Sequence, residues 1–294
     1  MVGLNANVAD VLTLNGDIGY KKSGVSEIVA VGDDVTVRLE ATESVYVELA
    51  GADFGLISGI NGTAFELTNG ALDIHLSDYF VVTGGSVLVQ FSGLASPIDG
   101  PEMISVGSID YTFSEAIAPN TVTFAIVDLD ANVADVFTLT GDLGFKKSGL
   151  VTPEILAVGN DVTVRLEATE SIYVELAHAD FGLVSGVTGT AFELKNGALD
   201  IHLSDYFVVM GGSVLVQFSG PLSPVDGGET ISVGSIDYTF SEAIAPNTVA
   251  FAVVGLDANV ADVFTLTGDI GFKKSGIAPE ILAVGNDVTV RLEA

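Results

Sequence analysis

The sequence contains no cysteine and no tryptophan, and only 10 Lys and Arg residues stand against 39 Asp and Glu. Without cysteine no disulfide framework can form. The formal net charge of −29 excludes nucleic acid and anionic membrane as partners, because both require a basic surface to neutralise phosphate. Self-repulsion at this level favours solubility and opposes compactness, and cations would relieve it. Helical periodicity is almost missing. The one plausible helical turn is Ser114–Ala118 before Pro119, with its copy at Ser241–Ala245. No transmembrane segment is expected either. The longest uncharged runs, 79–98 and 206–225, carry Gly-Gly, Ser, Gln and Pro, and they alternate as strands do.

What the sequence does contain is repetition. The stretch Leu129–Gly149 (LDANVADVFTLTGDLGFKKSG) also occurs as Leu4–Gly24 and Leu256–Gly276, at spacings of 125 and 127 residues. The chain therefore divides into repeat 1 (4–128), repeat 2 (129–255) and the start of a third unit (256–294). It starts and stops in different phases of the repeat, as a window onto a longer array would. Comparing 27–128 with 154–255 gives 17 differences in 102 positions. Copies this alike serve length or multivalency, whereas a reaction needing one asymmetric site has no use for them.

Val, Ile, Thr, Phe and Tyr alternate with polar residues throughout, which predicts an all-β fold. In Val35-Thr36-Val37-Arg38-Leu39-Glu40 the apolar residues share one face. Repeat 2 breaks at its turn residues into FTLT-GD-LGFKK, ILAV-GND-VTVRL, YVEL-AHA-DFGLV, AFEL-KNG-ALDIHL and YFVV-MGG-SVLVQF. Each piece is two strand arms joined by a small-residue corner, and Val233–Val254 supplies two further strands. Even piece lengths favour an elongated array of β-solenoid or roll-like rungs. The alternative is a string of β-sandwich modules made of long strands bent at a glycine corner, and the hairpin-like Asn61-Gly62 and Asn69-Gly70 fit it.

Several constellations carry possible chemistry. Asp130, Asn132 and Asp135, copied as Asp257, Asn259 and Asp262, bring hard oxygen ligands close together, as a Ca2+ site requires. Asp142, Asp161, Asp269 and Asp287 recur in the following corners, with Asp33 and Asp34 in the first copy. The same residues also serve as turn formers and solvated charges, and neither EF-hand nor nonapeptide spacing is present. Asp73, His75 and Ser77, with Asp200, His202 and Ser204, share a strand face without the geometry of a triad. Glu48 with Asp53, and Glu175 with Asp180, are carboxylate pairs that lack a cleft-forming insertion. Tyr79-Phe80 and Tyr206-Phe207 suit core packing, with sugar stacking as the other reading. The lysine pairs, such as Lys146-Lys147, and Arg38, Arg165 and Arg291 balance nearby carboxylates. No catalytic set emerges, and the chain is read as a non-enzyme.

The combination GDLGFKKSG, ILAVGNDVTVRLEA, ADFGLVSGVTGTAFELKNGALDI, SVLVQFSG and ISVGSIDYTFSEA resembles the tandem units of very large bacterial secreted or surface proteins of the adhesin-like kind. The resemblance implies a cell-surface or extracellular location and a structural stalk, sheath or filament. It also implies calcium stiffening, and the uncapped strand edges of such an array predict self-association, head to tail or lateral. A multivalent module binding surface glycans is the alternative function.

Overall fold

The computed structural model describes residues 1–293 except 10, 24–26, 277 and 279, and it leaves the side chain of residue 23 undescribed. Part of the first copy of the repeated stretch thus lies outside the described residues. The described residues form nineteen strands and no helix. They are β1 (Leu4–Val8), β2 (Leu12–Ser23), β3 (Glu27–Thr42), β4 (Val45–Gly59), β5 (Gly62–Ser77), β6 (Phe80–Ser92), β7 (Met103–Val106), β8 (Ile109–Thr112), β9 (Val122–Val133) and β10 (Phe137–Ser148). The second half holds β11 (Glu154–Thr169), β12 (Ile172–Gly186), β13 (Gly189–Ser204), β14 (Phe207–Ser219), β15 (Thr230–Val233), β16 (Ile236–Thr239), β17 (Val249–Val260), β18 (Phe264–Ser275) and β19 (Glu280–Leu292). Fifteen of them follow one another in chain order in an antiparallel sheet that does not close, and β7–β8 and β15–β16 are separate hairpins. The all-β expectation holds, and among the described residues no helix is long and apolar enough to cross a membrane.

Two compact units divide the chain, Met1–Ala131 with Gly144–Glu154 and Asn132–Leu143 with Ile155–Ala294. In the first, β1 to β6 pair antiparallel in succession. Each two-armed piece read from the sequence is one strand, and its corner is a bulge. In β3 the register with β4 slips between Gly32 and Val35, where Asp34 takes a left-handed φ of 51°. Val31 before the bend and Val35 after it are both buried. Asn61-Gly62 does form a hairpin turn, joining β4 to β5. Asn69-Gly70 does not: Asn69 sits at φ 65° in the bend of β5, and its side chain is held by Asp53.

The segment from Gly93 to Thr121 leaves the sheet and crosses one of its faces as a strap. The hairpin β7–β8 lies at its centre, against β2, β3 and β4. Core residues Ile98, Ile104, Ile109, Tyr111, Phe113 and Ile117 of the strap pack on Val31 and Ala64 of the sheet. The strap is stitched at both ends, with the Thr63 amide donating to the Ala95 carbonyl and the Asn120 amide to the Gly93 carbonyl. The second unit repeats this with β15–β16 as the hairpin, and Val225, Ile231, Ile236, Tyr238, Phe240 and Ile244 are buried there, as are Val158 and Ala191. The expected helical turn at Ser114–Ala118 is absent. The Ser114 amide and hydroxyl instead bond the Glu66 carboxylate.

Candidate functional site

The strongest concentration of polar chemistry lies under the strap. Glu66 of β5 is fully buried, and so is Glu193 of β13. In the second unit, Glu193 Oε1 accepts from the Tyr238 hydroxyl and the Ser241 amide, each at 2.8 Å. Its Oε2 accepts from Ser241 Oγ at 2.6 Å and from Gln217 Nε2 at 2.8 Å. Gln217 passes a second, 3.3 Å bond to Glu242, which also receives Lys273 Nζ at 3.1 Å. In the first unit Tyr111, Ser114 and Gln90 surround Glu66 in the same way, and Glu115 pairs with Lys146 at 3.7 Å. Tyr238 and Phe240 meet edge to face at 5.2 Å, which fixes the phenol ring over the sheet.

Burial by itself raises the pKa of Glu193. The bonds from Ser241, Gln217 and Tyr238 outweigh that effect and hold the carboxyl below its ordinary value. The Tyr238 phenol moves far upward, chiefly from burial and then from the facing Glu193 carboxylate. A carboxylate with four donors has no lone pair left for a substrate proton, so the node acts as an anchor between sheet and strap. One repeat adds a cation. Lys195 of repeat 2 replaces Thr68, donates to the Thr239 carbonyl, and lies 4.7 Å over the Tyr238 ring.

A second polar set lines the far arms of β3, β4 and β5. Arg38 donates to Glu40 at 2.7 Å and Glu48 at 3.1 Å, and its guanidinium stacks 3.7 Å over the Tyr46 ring. Tyr46 donates to Asp73, and His75 stacks on Tyr46 at 5.8 Å. Ser77 turns away and accepts the Tyr79 amide. The Asp73, His75 and Ser77 face is therefore a packed ladder, repeated by Arg165, Tyr173, Asp200 and His202. The carboxylate pairs are likewise engaged: Glu48 holds Arg38, and Asp53 accepts the Asp34 amide and the Asn69 side chain.

The calcium candidates separate into different roles. Asp130 and Asp257 are exposed on β9 and β17. Asn132 and Asp135 bond each other across the turn that joins β9 to β10. The Asp135 amide donates to Asn132 Oδ1, and Asn132 Nδ2 donates to Asp135 Oδ1, both at 3.0 Å. Asn259 and Asp262 repeat the pair at the same distances. Left-handed φ angles of 57° and 54° at Ala134 and Asp135 mark this as the mirror-type hairpin turn that matches strand twist. Carboxylates also line the bends. Asp180 accepts the Asp161 amide, and Asp269 accepts the Gly255 amide and the Asn286 side chain. Those donors lower the Asp269 pKa. Burial, then the nearby Asp53, Asp17 and Asp34, raise that of Asp33. Among the described residues no three His, Asp or Glu side chains converge as a metal-binding group.

The buried glutamate node was missed by sequence reasoning, although a signal for it was present. In Ala64-Phe65-Glu66 and in Val87-Leu88-Val89-Gln90, a polar residue stands at an inward-facing position of a strongly apolar strand, and both repeats keep it. Tyr79 and Tyr206, read as core, are instead 69% exposed at the tips of the β5–β6 and β13–β14 turns. Comparison of the chain with protein-family models, curated proteins and solved structures finds no match.

Proposed function

We propose that the chain is a structural segment of a bacterial cell-surface assembly, in which tandem β units form a stalk, sheath or filament. The observation that carries this reading is that both copies tie the same buried glutamate to the strap and the same arginine to a cross-strand glutamate. The acidic composition and the near-identity of the repeats support it. Antiparallel pairing of successive bent strands favours a string of sheet modules, each closed by its strap, over stacked parallel rungs.

Small-angle scattering from chains of two, four and six repeats tests the reading. A compact 294-residue globule has a radius of gyration of about 19 Å. For a stalk, the radius for the present chain exceeds that figure and grows almost in proportion to repeat number. Growth with roughly the 0.4 power of length, as for a globule, would overturn the proposal. Running the series in EDTA and then in calcium asks whether the carboxylates at the bends take up the cation.

The exposed Tyr79 and Tyr206 favour a second reading, a multivalent glycan-binding module, since a flat exposed ring on a turn can stack on a sugar. A glycan array decides it. Signals that vanish in the Tyr79→Ala/Tyr206→Ala chain support glycan binding, and an array without signals removes it.

A further inference from the structure

We propose that the sheet face opposite the strap is, in each unit, a trough that binds the acyl chain of a fatty acid. The inference goes beyond the stalk reading and does not depend on it.

The strap covers one face of the sheet. Gln90 points under it to Glu66, so Phe91, the next residue of β6, faces the other way. On that other face, exposure follows a pattern. At the bend of the first unit Val35, Ala52, Val87 and Ile126 are buried. Toward one end of the strands Phe91, Phe124 and Phe145 are 42–46% exposed, and toward the other Leu39, Val47 and Leu76 are 36–52% exposed. The second unit repeats this with Phe218, Phe251 and Phe272 at one end and Leu166, Val174 and Leu203 at the other. Phe218 stands opposite Val249, and Phe251 opposite Phe272, so the aromatic end is a continuous band. An apolar surface of this kind, kept in both copies, marks a binding surface.

The face is concave. In the second unit Leu194, before the bend of β13, and Leu199, after it, both pack on the cluster of Val214, Val253 and Leu256. The two arms of the sheet therefore fold toward this side. In the first unit six strands, β2 to β6 and β9, lie side by side. At a strand spacing of about 4.8 Å the trough runs for roughly 24 Å. A long acyl chain spans about 15 Å, half of the hydrocarbon core of a bilayer, and fits within it.

The lining selects the occupant. Aliphatic side chains and phenylalanines offer a sugar hydroxyl or a peptide group no hydrogen bond, and burying such groups unpaired is costly. A second copy fits poorly as well. An arm entering the trough would bring its own outer surface, which carries either the strap or the Arg38, Tyr46, Asp73 and His75 ladder. Two chains of charge −29 also repel each other. An acyl chain needs no polar partner along its length. Its carboxylate finds one at the margin. Lys274 is exposed and stands opposite Val249 beside the aromatic band, and Lys147 is its exposed copy in the first unit. Their neighbours Lys146 and Lys273 pair with Glu115 and Glu242. Among the described residues Lys147 and Lys274 enter no ion pair, although acidic residues outnumber basic ones 39 to 10.

The test titrates the full chain with the fluorescent fatty acid cis-parinaric acid and then displaces it. Saturable enhancement of emission is expected. Laurate, decanoate and octanoate displace the probe in that order, with affinity falling about twofold for each methylene removed, as for a half-buried CH2. Phe124→Glu combined with Phe251→Glu puts a charge in each trough and weakens binding about tenfold. Lys147→Ala combined with Lys274→Ala weakens laurate about threefold and leaves dodecanol unchanged. No saturation, displacement that ignores chain length, or undiminished binding by the glutamate variant would each overturn the proposal. Equal loss of dodecanol in the alanine variant would overturn the assignment of the lysines to the head group. Sedimentation of the same samples covers the remaining occupant: a dimer that the glutamate variant dissolves places a second copy on the face and overturns the proposal too. Phe124 and Phe251 are half-exposed, so unchanged circular dichroism is expected of that variant, and the chain-length series on the wild-type chain decides the matter without it.

Discussion

Glu193→Ala is expected to lower the local stability of its strap by roughly 4 kcal/mol, about a thousandfold in the opening equilibrium. Four donors converge on this carboxylate, and its removal leaves the Tyr238 hydroxyl, the Ser241 amide and hydroxyl, and the Gln217 amide group facing a small cavity. Each hydrogen bond to a buried charge contributes about 1.5–3 kcal/mol. Part of the loss is offset because the truncated site no longer holds a buried charge. Native-state hydrogen exchange gives the readout, since the amides of Phe240 and Ile244 donate within the strap. Their protection should fall with the variant, while the matching Phe113 and Ile117 amides of the first unit stay unchanged. Unaltered protection at Phe240 would refute the anchoring role.

The acid response has a definite sign. The folded-state pKa of Glu193 lies below its ordinary value of 4.5, so the carboxylate contributes stability that is present above that value and is lost as pH falls through the folded pKa. In Glu193→Gln the side chain does not ionise. The difference in strap protection between wild type and Glu193→Gln is therefore largest near neutrality and disappears in acid. A difference that persists unchanged well below pH 4.5 would mean that the carboxylate's charge is not what holds the strap.

Gly182→Ala is expected to cost about 3 kcal/mol without touching a charge. A Cβ at Gly182 would lie 2.2 Å from Cδ1 of Tyr238, and the equivalent contact from Gly55 to Tyr111 is 2.3 Å. Real Cβ contacts do not reach that distance, so the phenol must lift off the sheet and give up its bond to Glu193. Gly220→Ala is the control. Its nearest neighbour would be the Leu222 carbonyl at 3.8 Å, and a change within about 0.5 kcal/mol is expected. Thermal melting compares the two. Because Gly182→Ala and Glu193→Ala both release Tyr238, the double variant should cost less than the sum of the singles. Full additivity would show that the ring and the carboxylate act separately.

Much of the fold was legible in the sequence because local rules specify it. The Gly and Asx corners of pieces such as ILAV-GND-VTVRL mark where β11 bends, and Asp161 takes the left-handed φ of 53° that such a residue tolerates. The pairing of Asn132 with Asp135 was legible as a turn former for the same reason. What stayed hidden depends on contacts distant in sequence. Glu66 meets Ser114 across 48 residues and Tyr111 across 45, and nothing in the neighbourhood of Glu66 names those partners. Tyr79 was misread because an aromatic beside Phe80 in an apolar run looks like core, whereas the β5–β6 turn points it outward. His75 shares its strand face with Asp73, as the alternation required. Its stacking on Tyr46 needed the register of β4 against β5.

The chain-order meander also bears on how such a sequence finds its fold. Repeats this similar invite a strand to pair with the wrong copy, because β12 presents to β3 nearly the same face that β4 does. In the observed sheet, β3 reaches β4 across two residues and β4 reaches β5 across two more, so these partners arrive by very short loops. Loop closure of that size takes tens of nanoseconds, and the rival strand lies more than a hundred residues away. Proximity along the chain gives kinetic discrimination between partners that side-chain chemistry hardly distinguishes. Domain swapping is the hazard of near-identical neighbours, and short loops such as those of β3–β4 and β4–β5 favour the local partner over the competing copy.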